Sequence, residues 1–302
     1  MSLSGFINFY KPTGITSMDA IGLFKSVFKV SGKIGHCGTL DPIAEGVLPL
    51  AIGSATRLIE YVVDSEKRYS FRIKLGESTT TYDTEGEIIK SKNVPLLNKN
   101  ELKKNLDQFI GNIEQIPPMY SALRFEGKRF YEIARSGIEI QRTPRLVKVN
   151  SISIDMIQMP FIDFSVSCGK GFYVRSFAHD LGEKLGCGAH LINLKRTRTG
   201  VFTIEKSLTS SDIKNFTEKD MNSFIKSLDY PLSMIDRINI NKLQAKEFIM
   251  GKNLNIDEIL IENNAEIIRV YNEDIGFLGI GLFDSNLKTL KPKKVFQILE
   301  NL

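Results

Sequence analysis

One acid, Asp41, stands at the turn of the stretch Lys33 to Gly53, KIGHCGTLDPIAEGVLPLAIG. Gly35 and Gly38 permit a tight, closely approaching backbone before it, and Pro42 disfavours the α conformation at Asp41 itself. The carboxylate is therefore expected on an extended or turn residue, open to a ligand. Val47 to Ile52, bounded by Gly46 and Gly53, reads as a short buried strand that anchors this loop from one side. A carboxylate so held can serve as nucleophile or base. Glu45 follows four residues later, and two carboxylates this close also suit the acid and nucleophile of a glycosidase. Asp before Pro is equally a common turn former, so local chemistry leaves all three readings open.

Further along, RYSFRIKL alternates strictly, with Tyr69, Phe71, Ile73 and Leu75 on one face and Arg68, Ser70, Arg72 and Lys74 on the other. That period predicts a strand, in which Tyr69 is either the first residue of a core face or an aromatic platform at the edge of a pocket. The segment 115–145 is broken by Pro117 and Pro118 and interleaves Tyr120, Phe125, Phe130 and Tyr131 with Arg124, Lys128, Arg129, Arg135, Arg142 and Arg145. Bases stack on aromatics while cations answer phosphates, so this mixture suits single-stranded RNA, although a helix with a solvated charged face would have the same composition. CGKGFYVRSFAHDLGEKLG turns at Gly169 and Gly171 into a helix expected from Ser176 to Gly186, with Arg175 just before it. LINLKRTRTGVF then brings Lys195, Arg196 and Arg198 together as a basic cluster suited to phosphates.

The elements that must position these residues follow from the pattern. Phe6 to Tyr10 reads as a strand, followed by a turn at Lys11-Pro12-Thr13-Gly14 and a helix capped by Ser17, with Ile21, Phe24 and Phe28 at helical spacing. A second helix is expected from a Ser54 cap through Val63, and a third from Asn100 to Gly111, capped by Asn100. Leu146 to Ile154 and Phe161 to Cys168 read as strands, and 207–236 as a helical closing segment and connector. From about Ile238 the pattern changes to a short helix, Lys242 to Met250, and brief strands including Ile267 to Tyr271 and Phe277 to Phe283. Lys291 to Val295 suits either a phosphate-facing or a solvated edge.

With 302 residues and 42% apolar content, a large domain with a real core plus a smaller one is expected. The formal charge of +5 permits nucleic-acid binding without demanding it. Three cysteines, Cys37, Cys168 and Cys187, are an odd number at unpatterned spacing, which fits a reducing compartment and no disulfide framework. Cys187 and His190 are spaced like half of a zinc site, but no second pair completes it, so no metal is expected. No membrane-length apolar run or signal core appears, and a cytoplasmic location is expected.

Taken as complete strings, KPTGITS, GHCGTLDPIAEGVLPLAIGSATRL, KRYSFRIKLGESTTTYDTEG, the PP-YSA block, CGKGFYVRSFAHDLGEKLG and LINLKRTRTGVF recur in order across residues 5–204. This series resembles the TruB family of tRNA pseudouridine synthases. The resemblance implies that Asp41 is the catalytic aspartate, that Arg175 pairs with it and that Tyr69 lies against the target base. It further implies that Tyr173 and Leu194 contribute to the pocket and that His36 packs against the displaced nucleotide. Lys11, Lys195 and Arg196 are carried over as substrate contacts. Segment 115–145 would close over the substrate loop, and 233–302 looks like the RNA-binding PUA-type module of the family, following a catalytic domain at 1–232. Phe172 replaces the family's usual threonine, and Arg124 its frequent lysine.

The implied fold is mixed α/β (α+β), with a largely antiparallel central sheet. The implied reaction is isomerisation of uridine 55 in the T loop of tRNA. It requires the base to be flipped out of its stack, the N1–C1′ bond broken, the uracil rotated and C5 joined to C1′. No redox step or cofactor is needed, and no guide RNA or obligatory protein partner is expected. The aspartate must be ionised, and an adjacent guanidinium favours that form. A non-catalytic RNA-binding or tRNA-folding protein, and an RNA N-glycosidase using Asp41 and Glu45, are the alternatives.

Overall fold

The computed structural model describes residues 3–28, 32–121, 123–125, 127–138, 140–215, 223–256 and 266–296. Strands β1 (Gly5–Lys11), β2 (Ile34–His36), β3 (Ala44–Ile52) and β4 (Lys67–Leu75) begin the central sheet. A small hairpin follows, β5 (Glu77–Thr79) with β6 (Ile88–Ser91), before β7 (Gly111–Gln115) rejoins the sheet. A second hairpin, β8 (Arg124–Phe125) with β9 (Lys128–Arg129), lies inside the 115–145 insertion. Then β10 (Arg145–Gln158), β11 (Phe161–Cys168), β12 (Ala189–Thr199) and β13 (Phe202–Thr203) complete nine strands. Their order is β1-β3-β12-β4-β11-β10-β7, with β2 on β3 and β13 on β12. Every pairing is antiparallel except β3 with β12, which run parallel.

The helices are α1 (Ser17–Phe28), α2 (Ile59–Asp64), α3 (Lys99–Leu106), α4 (Phe130–Arg135), α5 (Val174–Lys184), α6 (Ser210–Asn215) and α7 (Lys242–Ile249). Alternation on β4 comes out as expected, with Phe71, Ile73 and Leu75 buried. Phe177 of α5 lies edge-on to Phe71 and Phe164, at 5.6 and 5.7 Å between ring centroids, a favoured aromatic geometry that seats the helix on the sheet. The start of α5 is thereby fixed, and Arg175 stands inside its first turn rather than before it.

Several local expectations shift for identifiable reasons. Thr16, not Ser17, closes the start of α1: its hydroxyl accepts from the Asp19 N–H while the Asp19 carboxylate accepts from the Thr16 N–H. Ser17 is drawn away to the backbone of Leu40, described below. Asn98, two residues earlier than expected, caps α3 with Glu101 in a capping box, and Gly111 opens a strand instead of ending the helix. The segment after Ile52 is a 3-10 turn, Gly53–Leu58, before α2 begins, with no side-chain cap from Ser54. Part of the expected closing segment, 216–222, lies outside the described residues.

A five-stranded sheet follows, from β14 (Arg237–Asn239), β15 (Leu254–Asn255), β16 (Ile267–Asn272), β17 (Gly276–Asp284) and β18 (Thr289–Val295), in the order β14-β16-β17-β18-β15. Ile280 packs in one cluster with Phe6, Val47 and Ala51 of the large sheet. Arg57 donates to the Val295 carbonyl at 2.7 Å, and Lys294 pairs with Glu60. Lys294 thus ties β18 to the segment that follows β3, while Lys291 and Lys293 of the same strand are exposed.

Gly46 has φ 107°, and a Cβ there would lie 2.3 Å from the Arg196 carbonyl oxygen across the parallel pair. Both the backbone conformation and the space exclude a side chain. Gly46→Ala should therefore cost about 2–4 kcal/mol of folding stability, measured by urea unfolding; an unchanged midpoint would contradict this packing.

Candidate active site

Each residue around Asp41 is tied down by a different part of the chain. The Ser17 hydroxyl accepts from the Leu40 N–H at 2.8 Å and donates to the Leu40 carbonyl at 3.0 Å. The Gly14 N–H donates to the Pro42 carbonyl at 2.8 Å, so the first turn rests on the loop. Arg196, 2% exposed, donates from Nη2 to the Gly38 carbonyl at 3.0 Å, from Nη1 to that of Thr39 at 3.3 Å and from Nε to that of Val47 at 2.7 Å. The Asp41 side chain is left to project, one-third exposed.

That carboxylate meets the guanidinium of Arg175 at 2.8 Å. Arg175 is 4% exposed, and a buried cation is tolerated only with close oxygen partners. Besides Asp41 it has the buried Asp83 carboxylate at 3.6 Å, the Thr81 carbonyl at 3.3 Å and the Tyr120 carbonyl at 2.7 Å. Asp83 is itself fixed by the Thr81 hydroxyl and by the Glu85 N–H at 3.0 Å. Nothing in residue spacing singled out Asp83 as the second carboxylate of this group. Its signal was the run of threonines around it, which have hydroxyls to hold a buried acid.

Asp41, Tyr69, Tyr173, Arg175 and Leu194 line one cavity of about 300 Å³, with Leu123 of the insertion at its wall. Tyr69 is half-buried; burial raises its phenol, and the nearby Arg196 guanidinium opposes the rise. Burial likewise raises the Tyr173 phenol, with Asp41 adding to it. Gln115 holds the Tyr173 backbone in both directions, accepting its N–H at 2.7 Å and donating to its carbonyl at 3.0 Å. Lys67, on the same wall, donates to the Val63 and Ser65 carbonyls, and burial lowers its ammonium to about 8. Phe172, where the family pattern has threonine, is buried in the main core.

Four expected substrate contacts sit differently. Arg196 lines the Asp41 cavity but lies buried beneath the loop, with its guanidinium engaged by three carbonyls, the arrangement of a brace. Lys11 is wholly buried, donating to the Pro12 and Ile15 carbonyls at 2.7 and 2.8 Å. Burial lowers its ammonium to about 8, Asp41 partly opposing the fall, so Lys11 braces the first turn and does not reach out to a ligand. His36 is half-buried on β2 and does not line the Asp41 cavity. Lys195 follows Leu194 in the strand and so faces the other side of the sheet, where it pairs with Glu45 at 2.8 Å. Glu45 also bonds the Tyr10 hydroxyl, and these partners hold its carboxyl below the ordinary range against burial.

In the insertion, Phe130 is buried and Phe125 exposed, while the side chains of Arg124, Arg129, Tyr131 and Arg135 lie outside what the structure describes. Among the described residues no cluster of acids, cysteines and histidines is arranged to hold a metal ion, and no helix is long and apolar enough to cross a membrane.

The fold is that of the pseudouridine synthases built around a large mixed sheet. It superposes with a TM-score of 0.75 on a crystal structure of a Cbf5-Nop10-Gar1 complex, at 23% identity, covering 98% of this chain and 86% of that one. A chain of an H/ACA RNP bound to a substrate RNA containing 2′-deoxyuridine gives 0.74, at 22% identity, with the same coverage. Family models place the chain more narrowly. Residues 25–174 match the TruB family pseudouridylate synthase N-terminal domain, and 175–233 match the tRNA pseudouridylate synthase B C-terminal domain. Proteins named tRNA pseudouridine synthase B are similar along almost their whole length. That of Clostridium tetani is 39% identical over 99% of this chain and 100% of its own, and that of Clostridium acetobutylicum 40% over 96% and 99%. This chain belongs to the TruB family.

Replacing Arg196 distinguishes a brace from a phosphate contact. Arg196→Met takes the guanidinium donors away from the Gly38, Thr39 and Val47 carbonyls, at about 1–3 kcal/mol for each that stays buried and unpaired. Turnover on tRNA should fall more than about tenfold, while the salt dependence of tRNA binding stays as in the wild type. Weakened binding with a shallower salt slope and intact turnover would restore the phosphate role.

Proposed function

We propose that this chain isomerises uridine 55 in the T loop of tRNA to pseudouridine, with Asp41 as the catalytic acid residue in its ionised form. The observation that carries this is the Asp41–Arg175 pair: a half-open carboxylate held at 2.8 Å by a buried guanidinium in a cavity walled by Tyr69 and Leu194. The relatives' names supply the substrate class, and the chemistry supplies the need for each group. A flipped uracil loses its stacking, which costs a few kcal/mol, and Tyr69 and Leu194 offer aromatic and apolar surface in return. The Asp41 carboxylate is placed to attack, to stabilise the ribosyl centre or to take a proton from it. Arg175 aims the carboxylate through the 2.8 Å ion pair, and Tyr173 lines the same cavity.

In this reading 1–232 form the catalytic unit, 115–145 clamp the RNA, and 233–302 add a second RNA-binding surface of PUA type. The enzyme works on tRNA in the cytoplasm without a guide RNA or an obligatory partner. The position of Glu45 counts against the N-glycosidase alternative. Held by Lys195 and Tyr10 and absent from the lining of the Asp41 cavity, it is not paired with Asp41 as acid and nucleophile.

Position is tested by treating an unmodified tRNA transcript with the protein, then with a carbodiimide that marks pseudouridine for primer extension. A single new stop reporting position 55 is expected, and it should vanish when that uridine is replaced by cytidine. Stops at other uridines with none at 55 would refute the assignment.

A further inference from the structure

We propose that the stacked pair Tyr82 and His179 is a positioning clip that sets Arg175, and through it Asp41; the proposal rests on the role given to Asp41 and Arg175 above. Neither ring belongs to the Asp41 cavity. They lie almost parallel, at 10°, with centroids 4.0 Å apart.

Tyr82 occupies the middle of the turn that holds Arg175 from one side. Its predecessor Thr81 presents its carbonyl to Nη1 of Arg175, and its successor Asp83 presents a carboxylate to the same nitrogen. The turn can do both only because Tyr82 takes φ 65°, a left-handed conformation that a tyrosine adopts at a cost. Backbone bonds from Tyr82 N–H to the Thr79 carbonyl and from Leu191 N–H to the Tyr82 carbonyl fasten the turn to β5 and β12. Glycine would satisfy that conformation without strain, so the ring must contribute something else.

His179 supplies the answer, because it lies on α5 one helical turn after Arg175, on the same side of the helix. Its Nδ1 is buried and has no hydrogen-bond partner among the described residues, so hydrogen bonding at that nitrogen does not fix the ring. Burial also pushes its proton affinity below the ordinary imidazole value, which favours a neutral ring against the phenol. The stack therefore ties the Thr81–Asp83 turn to the very helix that carries Arg175, and fixes the separation between the guanidinium and its oxygen partners. The turn also borders a groove of about 400 Å³, lined by Tyr82 together with Met119, Tyr120 and Arg142.

The test uses the full chain and four variants. Tyr82→Gly keeps the left-handed backbone and removes the ring, Tyr82→Phe keeps the ring, His179→Ala removes its partner, and the fourth combines Tyr82→Gly with His179→Ala. Single-turnover pseudouridine formation at saturating tRNA should fall about tenfold in Tyr82→Gly and in His179→Ala, with tRNA affinity unchanged and no further loss in the double variant. Tyr82→Phe should stay within about twofold of wild type. An activity-free measurement accompanies it: hydrogen exchange of the Arg175 Nε–H, followed by NMR, should quicken in Tyr82→Gly and not in Tyr82→Phe. Full turnover in Tyr82→Gly, losses that multiply in the double variant, or an unmoved Arg175 signal would overturn the clip. A wild type inert toward tRNA uridines, with the Arg175 signal still dependent on Tyr82, would sink the functional reading and leave the clip standing.

Discussion

A guanidinium buried to 4% exposure must be surrounded by oxygen, and the arrangement of this protein follows from how Arg175 meets that demand. Its four partners come from three places far apart in the chain: Asp41 before β3, Thr81 and Asp83 after β5, and Tyr120 in the insertion. Helix α5, which carries the arginine, is itself seated by Phe177 against two aromatic rings of the sheet. Sheet, helix, threonine-rich turn and insertion therefore converge on one cation. Removing a partner would leave charge buried without compensation, which is far more costly than losing an exposed ion pair.

Two of the other buried cations, both beside the Asp41 loop, work on the backbone instead. Arg196 gathers the carbonyls of Gly38, Thr39 and Val47, and Lys11 those of Pro12 and Ile15. A loop of glycines and a proline has little side-chain packing to hold it, so its rigidity has to come from hydrogen bonds to its main chain. Ser17 and Gly14 add bonds on either side of Asp41. The result is a stiff frame from which one carboxylate projects into the cavity, the geometry that pre-organised catalysis calls for.

Much of this was legible in the chain. Strict alternation located β4, Phe161 to Cys168 marked β11, and the ordered motifs placed Asp41, Tyr69, Arg175, Tyr173 and Leu194, which one cavity does bring together. What escaped was whatever depends on contacts between distant segments. A basic run such as Lys195-Arg196 looks uniform in sequence, yet strand alternation sends Lys195 to one face and buries Arg196 on the other. Ser17 has the chemistry of a helix cap, and only the nearness of Leu40 diverts it. Asp83 carries no spacing signal because its partner lies 92 positions away, and Tyr82 with His179 carries none for the same reason.

The most direct test of the account is tritium release from a tRNA T-arm labelled at uridine C5, with free uracil assayed in parallel, for the wild type and Asp41→Asn. Joining C5 to C1′ displaces the C5 hydrogen, so the label follows the bond that isomerisation makes. Release by the wild type without free uracil, lost in Asp41→Asn while RNA binding persists, is the predicted result. Tight RNA binding with no release from the wild type, or release accompanied by stoichiometric uracil, would contradict it.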